Sequence, residues 1–400
     1  AGMEDAGAAP VPAGDPPPWA DGLAFASGFL VLGLEVPAQH QVAQVAINSL
    51  FSGATVLAVV LLALTASAAL VGRMAGAADA SRRLPVALAL AALLAAAQPA
   101  LFLLLRPGLA SLPYELPPAA YYPRLAWLGA AGLGPMFLAA GALFPLLLAT
   151  RPDSARLARW LAWNGVGGWL GAEAAGAWLA PRFGLWGAVF ALAAGYALLA
   201  AALAWRRLPV AGGDGRVLAV APRAAVAIAA WTGRAFPQAR LAPGETLAEV
   251  ATGREGVVAT LRGGSNDWRM LFNNTSTLGG SRAAANQERQ ALLPLLLHGR
   301  AESVGVLGVA TGSTLAGAAL APGVARIEAA ELSPLVLRQA QAHFRPFNRG
   351  VFADPRVRVV QDDARWFITG APGRFDVGVG DLFLPWRTGE GRLYAREHFA

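Results

Sequence analysis

Residues 303–314 read SVGVLGVATGST, and residues 326–331 read RIEAAE. A short β-prone run is followed by a turn carrying Gly308 and Gly312, then by a second β-prone run that ends on an acid, Glu331. That is the opening of a strand–turn–helix–strand unit. Glycines in such a turn let the backbone and the helix N-terminus come close to a ligand, and an acid about twenty residues on is placed to grip both hydroxyls of a ribose. Downstream, VRVVQ (357–361) and FDVGVGD (375–381) supply a third and a fourth strand, with a helix expected over 333–344. Asp363 and Asp381 stand just past those strands, Asp363 placed to accept from an adenine amino group. Each Asp or Gly alone is more often a turn or cap residue, but four at successive strand ends favour a nucleoside site. The pattern predicts a doubly wound α/β domain of Rossmann type, with its ligand beyond the carboxyl ends of parallel strands.

Upstream the character changes twice. Over 216–277, RVLAVA, GVVATLR and RMLF alternate with Gly, Asn and Asp and read as a small antiparallel sheet. Before Arg206 the chain is too apolar for water: 56% of the 400 residues are hydrophobic, 14% are charged, and the mean hydropathy is +0.46. Long apolar runs cover 46–72, 84–105, 125–149, 161–180 and 186–205, each near or above the ~20 residues that cross a bilayer core. A sixth, 22–34, is short and ends at Glu35. Pro135 and Pro145 within one run predict a kinked or broken helix. The expected organisation is an acidic disordered tail over 1–21, about six transmembrane helices over 22–207, a small β-rich subdomain over 208–280 and the Rossmann-type domain over 281–400.

All 32 basic residues are arginine, giving a net charge of +7, and many of them flank apolar runs. That distribution suits membrane orientation better than nucleic acid, which is not expected as a partner. Arg73, Arg82, Arg83, Arg151, Arg156, Arg159, Arg206 and Arg207 fall on one side of a six-helix arrangement. The positive-inside rule makes that side cytosolic, together with both termini and the C-terminal domain. Localisation in the inner (plasma) membrane as a multi-pass protein follows. The chain has no cysteine, and His40, His298, His343 and His398 are scattered, so neither thiol chemistry nor a metal site is expected. Within the apolar runs Glu35, Asn164 and Glu173 are the polar residues of interest. Glu173, flanked by the small-residue spacing of Gly167 and Gly171, reads as the buried one. A ligand or pathway role there competes with a structural one.

The stretch 273–399 resembles the spermidine synthase (polyamine aminopropyltransferase) family, whose domain is methyltransferase-like in the S-adenosylmethionine-dependent sense. NQERQALLPLLLH (286–298), VLGVATGST (306–314), AELSP (330–334), FADPRVRVVQDDARWF (352–367), FDVGVGDLFLPW (375–386) and RLYAREHF (392–399) carry the likeness in order. SGFLVLGLEV, GATVLAVVLLAL, GPMFLAAGALFP and WNGVGGWLGAEAAG resemble the bacterial branch in which this domain is fused to membrane helices. The resemblance implies that Gly308, Thr311, Gly312 and Gln287 line the nucleoside or substrate site. It implies further that Glu331 holds the ribose, Asp363 the adenine, and that Asp381 is the general base on the attacking amine. It implies no tightly bound cofactor, with decarboxylated S-adenosylmethionine or S-adenosylmethionine as co-substrate, a small amine as acceptor, and a homo-oligomer as an open question.

The sequence departs from the family where Thr311 replaces the turn's acid, where Leu384 replaces the second acid after the fourth strand, and where Thr277 replaces a glutamine. Two anionic partners for ammonium groups are absent, each worth roughly 1.5–3 kcal/mol. A neutral Thr311 also removes repulsion against the carboxylate of intact S-adenosylmethionine, so a methyltransferase-like use of the pocket stands beside aminopropyl transfer. A transporter or sensor of an amine-like ligand, regulated by nucleoside, is the third reading. The family's domain continues through further strands, so the Rossmann-type domain is expected to be incomplete at Ala400.

Overall fold

The computed structural model describes residues 19–47, 49–74, 77–150, 152–205, 223, 236–370, 373–380, 383 and 390–396. The tail over 1–18, the RVLAVA stretch, Arg151, Arg206, Arg207, Asp381, Leu384 and His398 lie outside these residues.

The N-terminal half is a helical bundle: α1 (Ala20–Ala43), α2 (Leu50–Met74), α3 (Ala77–Leu105), α4 (Pro118–Gly132), α5 (Gly134–Ala140), α6 (Leu143–Leu148), α7 (Ser154–Ala174) and α8 (Ala180–Trp205). Among the described residues, four helical stretches are long and apolar enough to cross a membrane, or five if the bent pair 118–132 and 134–148 counts as one span. That pair bends by 48° beside Pro135, as two prolines in one run require. The last stretch, 154–204, reverses at Gly184 (φ 72°, ψ 179°), a conformation that only glycine adopts without strain. The described chain therefore runs the length of the bundle six times. The first run is longer than expected: α1 continues past Glu35 with Pro37 inside it, because packing on α7 and α8 holds the helix together beyond the acid.

α1 and α7 are parallel and their backbones touch. A Cβ on Gly167 would stand 2.0 Å from the Phe25 carbonyl oxygen, one on Gly171 2.0 Å from that of Phe29, and one on Gly28 1.9 Å from that of Asn164. Such small-xxx-small spacing lets two helices approach where apolar surroundings give no hydrophobic drive. Asn164 donates Nδ2 to the Ala24 carbonyl at 3.2 Å, so it ties α7 to α1 as an interhelical strut. The outer face carries large apolar side chains in the open, among them Leu62, Leu104, Trp127, Trp169, Trp178 and Leu198.

Two sheets follow. The first is an antiparallel meander, β1 (Thr246–Thr252), β2 (Val257–Arg262), β3 (Trp268–Phe272) and β4 (Ser276–Gly280), in sequential order. GVVATLR and RMLF are thus β2 and β3. After α9 (Ala284–His298), the second sheet contains β5 (Ser303–Leu307), β6 (Arg326–Glu331), β7 (Val357–Gln361) and β8 (Val377–Gly380), all parallel, in the order β7-β6-β5-β8. α10 (Ser313–Ala319), α11 (Pro334–His343) and α12 (Ala364–Thr369) are the crossovers. Ser333 caps α11 through its hydroxyl, which accepts from the Val336 amide. The reversal of strand order between β5 and β8 makes a crevice at the carboxyl ends of the strands, the Rossmann-like placement expected.

The meander docks on the bundle. Gln44 donates to Asn273 Oδ1 at 3.1 Å, Asn274 donates to Gln44 Oε1 at 2.9 Å, Arg240 reaches Ser111 Oγ at 2.7 Å, and Arg254 pairs with Glu173 at 2.7 Å. Gln44 and Ser111 lie at the end that holds the α1–α2 and α3–α4 connections and the reversal at Gly184, and Glu173 lies on α7 in the half toward that end. Arg73, Arg82, Arg83, Arg156 and Arg159 belong to the other end. The expectation that the arginine-rich loops and the C-terminal domain share one side is therefore corrected, because the sheet has its hydrogen-bond partners at the opposite end.

Close approach of α1 and α7 predicts that Gly171→Ala costs on the order of 1–3 kcal/mol through overpacking. Gly165→Ala, whose added Cβ meets nothing within 4 Å, should leave stability unchanged or slightly raised. Thermal unfolding in detergent, followed by tryptophan fluorescence, should lower Tm for the first and not the second; equal melting temperatures would contradict the packing.

Candidate functional site

The turn from β5 to α10 is built from left-handed residues: Gly308 (φ 80°), Ala310 (φ 48°) and Gly312 (φ 85°). Alternating left-handed residues turn successive amides toward one point, and Glu331 occupies it. Its Oε2 accepts from the Val309 amide at 3.0 Å and the Ala310 amide at 3.3 Å, while Oε1 accepts from the Ser333 amide at 3.0 Å. Burial pushes the Glu331 carboxyl above the usual carboxylate range, and the backbone donors work against that shift. The acid at the end of β6 thus holds the turn of β5 while its carboxylate stands at the mouth of the crevice.

Thr311, at the tip of the turn, is buried among neutral partners. Its hydroxyl donates to Gln287 Oε1 at 3.2 Å and lies 3.2 Å from Ser313 Oγ; Gln287 in turn donates Nε2 to the Leu278 carbonyl at 3.0 Å. The meander closes this pocket. A Cβ on Gly279 of β4 would stand 2.7 Å from Gln287 Oε1 and 2.8 Å from Thr311 Oγ1, so the strand needs a glycine there. Gly308, Thr311, Gly312, Gln287 and Glu331 are therefore in one place. Phe383 stands over the turn, 3.4 Å from where a Cβ on Gly308 would be.

Asp363 is on the same edge but is occupied. It caps α12 by accepting from the Arg365 amide at 2.9 Å, and both its carboxylate oxygens are held by the Arg365 guanidinium. Asp381 lies outside the described residues, directly after Gly380, the last residue of β8 beside β5. Glu173, Asn164 and Glu35 are in the bundle, away from this site. The reading of Glu173 as a buried intramembrane acid is corrected: its side chain is 47% exposed and paired with Arg254 of the β1–β2 turn. One residue escaped the sequence reading. Asn348, fully buried, donates Nδ2 to the Thr311 carbonyl at 2.9 Å and accepts from the Gly350 amide at 3.1 Å, fixing the turn from behind. An Asn two residues before a Gly looks like any surface turn.

Known proteins resemble this part of the chain. A polyamine aminopropyltransferase of Aeropyrum pernix is 35% identical over 107 residues, covering 26% of this chain and 34% of that protein. One from Mycobacterium tuberculosis is 33% identical over 150 residues, covering 36% of this chain and 27% of that protein. The C-terminal part of this chain is similar to these polyamine aminopropyltransferases over the matched residues. The chain spans about a third or less of the length of these relatives. Among solved structures, a spermidine synthase in complex with the transition-state analogue AdoDATO aligns over 38% of this chain and 52% of its own, with 19% identity and a TM-score of 0.36. No family model matches the chain.

Asn348→Leu removes the donor to the Thr311 carbonyl and leaves that buried oxygen unpaired, which costs about 1–3 kcal/mol. The expected result is a lowered melting temperature with proteolysis first at the turn around Thr311; a wild-type melt and cleavage pattern would show that Asn348 does not hold the turn.

Proposed function

We propose that the C-terminal part binds an adenosine-type sulfonium nucleoside at the turn over 308–312 and transfers its alkyl group to a small amine, as a membrane-embedded relative of spermidine synthase. The observation that carries this reading is the Glu331 carboxylate, held by three backbone amides at the carboxyl end of β6, where ribose hydroxyls are gripped in Rossmann-type sites. The relatives' name, polyamine aminopropyltransferase, supports the same class of reaction.

The chemistry asks little beyond positioning. The acceptor nitrogen attacks the carbon beside the sulfonium, the carbon–sulfur bond breaks with its electron pair going to sulfur, and a neutral thioether nucleoside leaves. The nitrogen loses one proton, which in this proposal passes to Asp381 as general base. Glu331 orients the ribose, and the Gln287–Thr311–Ser313 cluster faces the donor's tail. That cluster is neutral, so intact S-adenosylmethionine, with its carboxylate, is the competing donor. For the helices, the open apolar surface supports a bilayer as surroundings, since large exposed apolar area in water is costly. Glu173, with its ion pair, favours neither a transport nor a sensing role.

Calorimetric titration with decarboxylated S-adenosylmethionine, S-adenosylmethionine and methylthioadenosine tests the reading. Tightest binding of the decarboxylated donor supports aminopropyl transfer, tightest binding of the intact one supports methyl transfer, and failure of all three to bind contradicts a nucleoside site. Glu331→Gln should weaken binding about 10- to 150-fold, the equivalent of roughly 1.5–3 kcal/mol for a lost charged acceptor. Because its pKa is raised, Glu331 becomes protonated as pH falls while ordinary carboxylates are still charged. Wild-type affinity should therefore decline on acidification at a pH above the usual carboxylate range, and in Glu331→Gln that step should vanish. Asp381→Asn should cut turnover by about 10²- to 10⁴-fold with binding retained; unchanged turnover would remove the base assignment.

A further inference from the structure

The turn that follows α3 brings two arginines together with no acid between them. Gly108 (φ 60°) and Leu109 (φ 57°) are both left-handed and Leu109 is fully buried, so the chain folds back sharply after Arg106 and is pinned there. Arg106 donates Nε to the Ala110 carbonyl at 2.7 Å, and Arg240, from the segment leading into the meander, donates Nη1 to Ser111 Oγ at 2.7 Å. Consecutive residues thus hold two guanidiniums side by side. Burial, and then the positive charge of Arg240, hold the Arg106 guanidinium below its usual range, while Tyr121 works the other way. Among the described residues neither arginine has a carboxylate partner. Other arginines near this joint do: Arg254 pairs with Glu173 at 2.7 Å, and Arg269 with Glu245 at 2.6 Å.

Two like charges held together favour an anion between them, and paired guanidiniums suit a phosphate, whose oxygens can accept from both forks. The surroundings decide which phosphate. Leu104, two residues before Arg106, is 77% exposed, and Leu241, next to Arg240, is 48% exposed. Tyr121 also lines a cavity of about 210 Å³ together with Ile47, Phe51, Tyr114 and Leu116. Open apolar surface around paired cations fits an amphiphile rather than a free ion. We infer that Arg106 and Arg240 bind the phosphate of an anionic phospholipid at the joint between the bundle and the meander. This rests on the reading of the bundle as membrane-embedded. The consequence reaches the support of the candidate site, since the Arg240 amide donates to Asn274 Oδ1 at 3.0 Å and Asn274 donates to Gln44 Oε1 at 2.9 Å. A lipid bound there fastens the meander to the end of α1 and to the turn after α3.

Full-length protein in uncharged detergent is titrated with phosphatidylglycerol, with phosphatidylcholine, whose ammonium offsets its phosphate, and with inorganic phosphate, and thermal unfolding is followed by tryptophan fluorescence. Phosphatidylglycerol should raise Tm saturably, and the other two should not at the same concentrations. Arg106→Gln and Arg240→Gln should each raise the half-saturating concentration about 10-fold or more, the loss of a charged contact. Arg124→Gln, at an exposed position of α4, should leave it unchanged. Arg240→Glu gives Arg106 an acid and should abolish the response. Because Arg240 is exposed, that variant should keep the lipid-free Tm, so the loss is read on folded protein. A wild-type response in the Arg106 and Arg240 variants would overturn the site, as would an equal loss in Arg124→Gln. An equal shift from inorganic phosphate would overturn the lipid assignment. Alkaline extraction of the protein from phosphatidylcholine vesicles tests the embedding separately, so failure of that reading and failure of the site are distinguishable.

Discussion

Glu331 spends its carboxylate on the backbone of a neighbouring strand's turn, and the C-terminal domain is arranged around that choice. A non-glycine residue at φ 48°, Ala310, is strained, and two left-handed glycines flank it. Bonds from the Val309 and Ala310 amides to one buried charge supply the compensation. Because the acid sits at the last position of β6, the register Leu307↔Ala330 between β5 and β6 also sets how far the turn projects beyond the sheet. Burial of the charge is unfavourable by itself, so the three donors are what make an ionised carboxylate tolerable in the crevice.

The meander connects this turn to the helices. At one edge Gly279 lies against Thr311 and Gln287. At the β3–β4 turn Asn273, buried and left-handed (φ 50°), accepts from both the Val257 amide and the Gln44 side chain. A path of direct contacts therefore runs from the end of α1 through one β-hairpin to the candidate site. Hydrophobic packing reinforces it on the domain side, where Val258 and Met270 of the meander share a cluster with Val336, Ala340 and Phe344 of the α11 region. The meander is neither a free lid nor an independent module: it is clamped on both faces.

Much of this was legible in the sequence because the signals are local. Period-2 apolar runs ending in Gly or an acid marked β5, β6, β7 and β8, and two prolines marked the bent span. Gly167 and Gly171 lie at helical spacing and mark a close-approach surface, whereas Gly28 on α1, which faces the Asn164 carbonyl, carries no such local signal. What was not legible depends on distant residues. Nothing near Glu173 announces Arg254, and nothing near Thr311 announces Asn348. The full length of α1 is not legible because Glu35 interrupts the apolar run, while the packing on α7 and α8 that carries the helix on to Ala43 is a long-range contact. The sidedness error has the same root. Counting runs before Arg206 gives an even number, and only the docking contacts at Gln44, Ser111 and Glu173 show that the sheet belongs to the other end.

The account stands on the turn over 308–312 being a nucleoside cradle anchored by Glu331, and a structure of the chain with bound methylthioadenosine tests that most directly. The account predicts both ribose hydroxyls within hydrogen-bond distance of the Glu331 carboxylate, with the thioether tail directed toward Thr311 and Gln287. A nucleoside bound elsewhere on the chain, or a crevice in which Glu331 keeps its three amide bonds and touches no ligand, would contradict it.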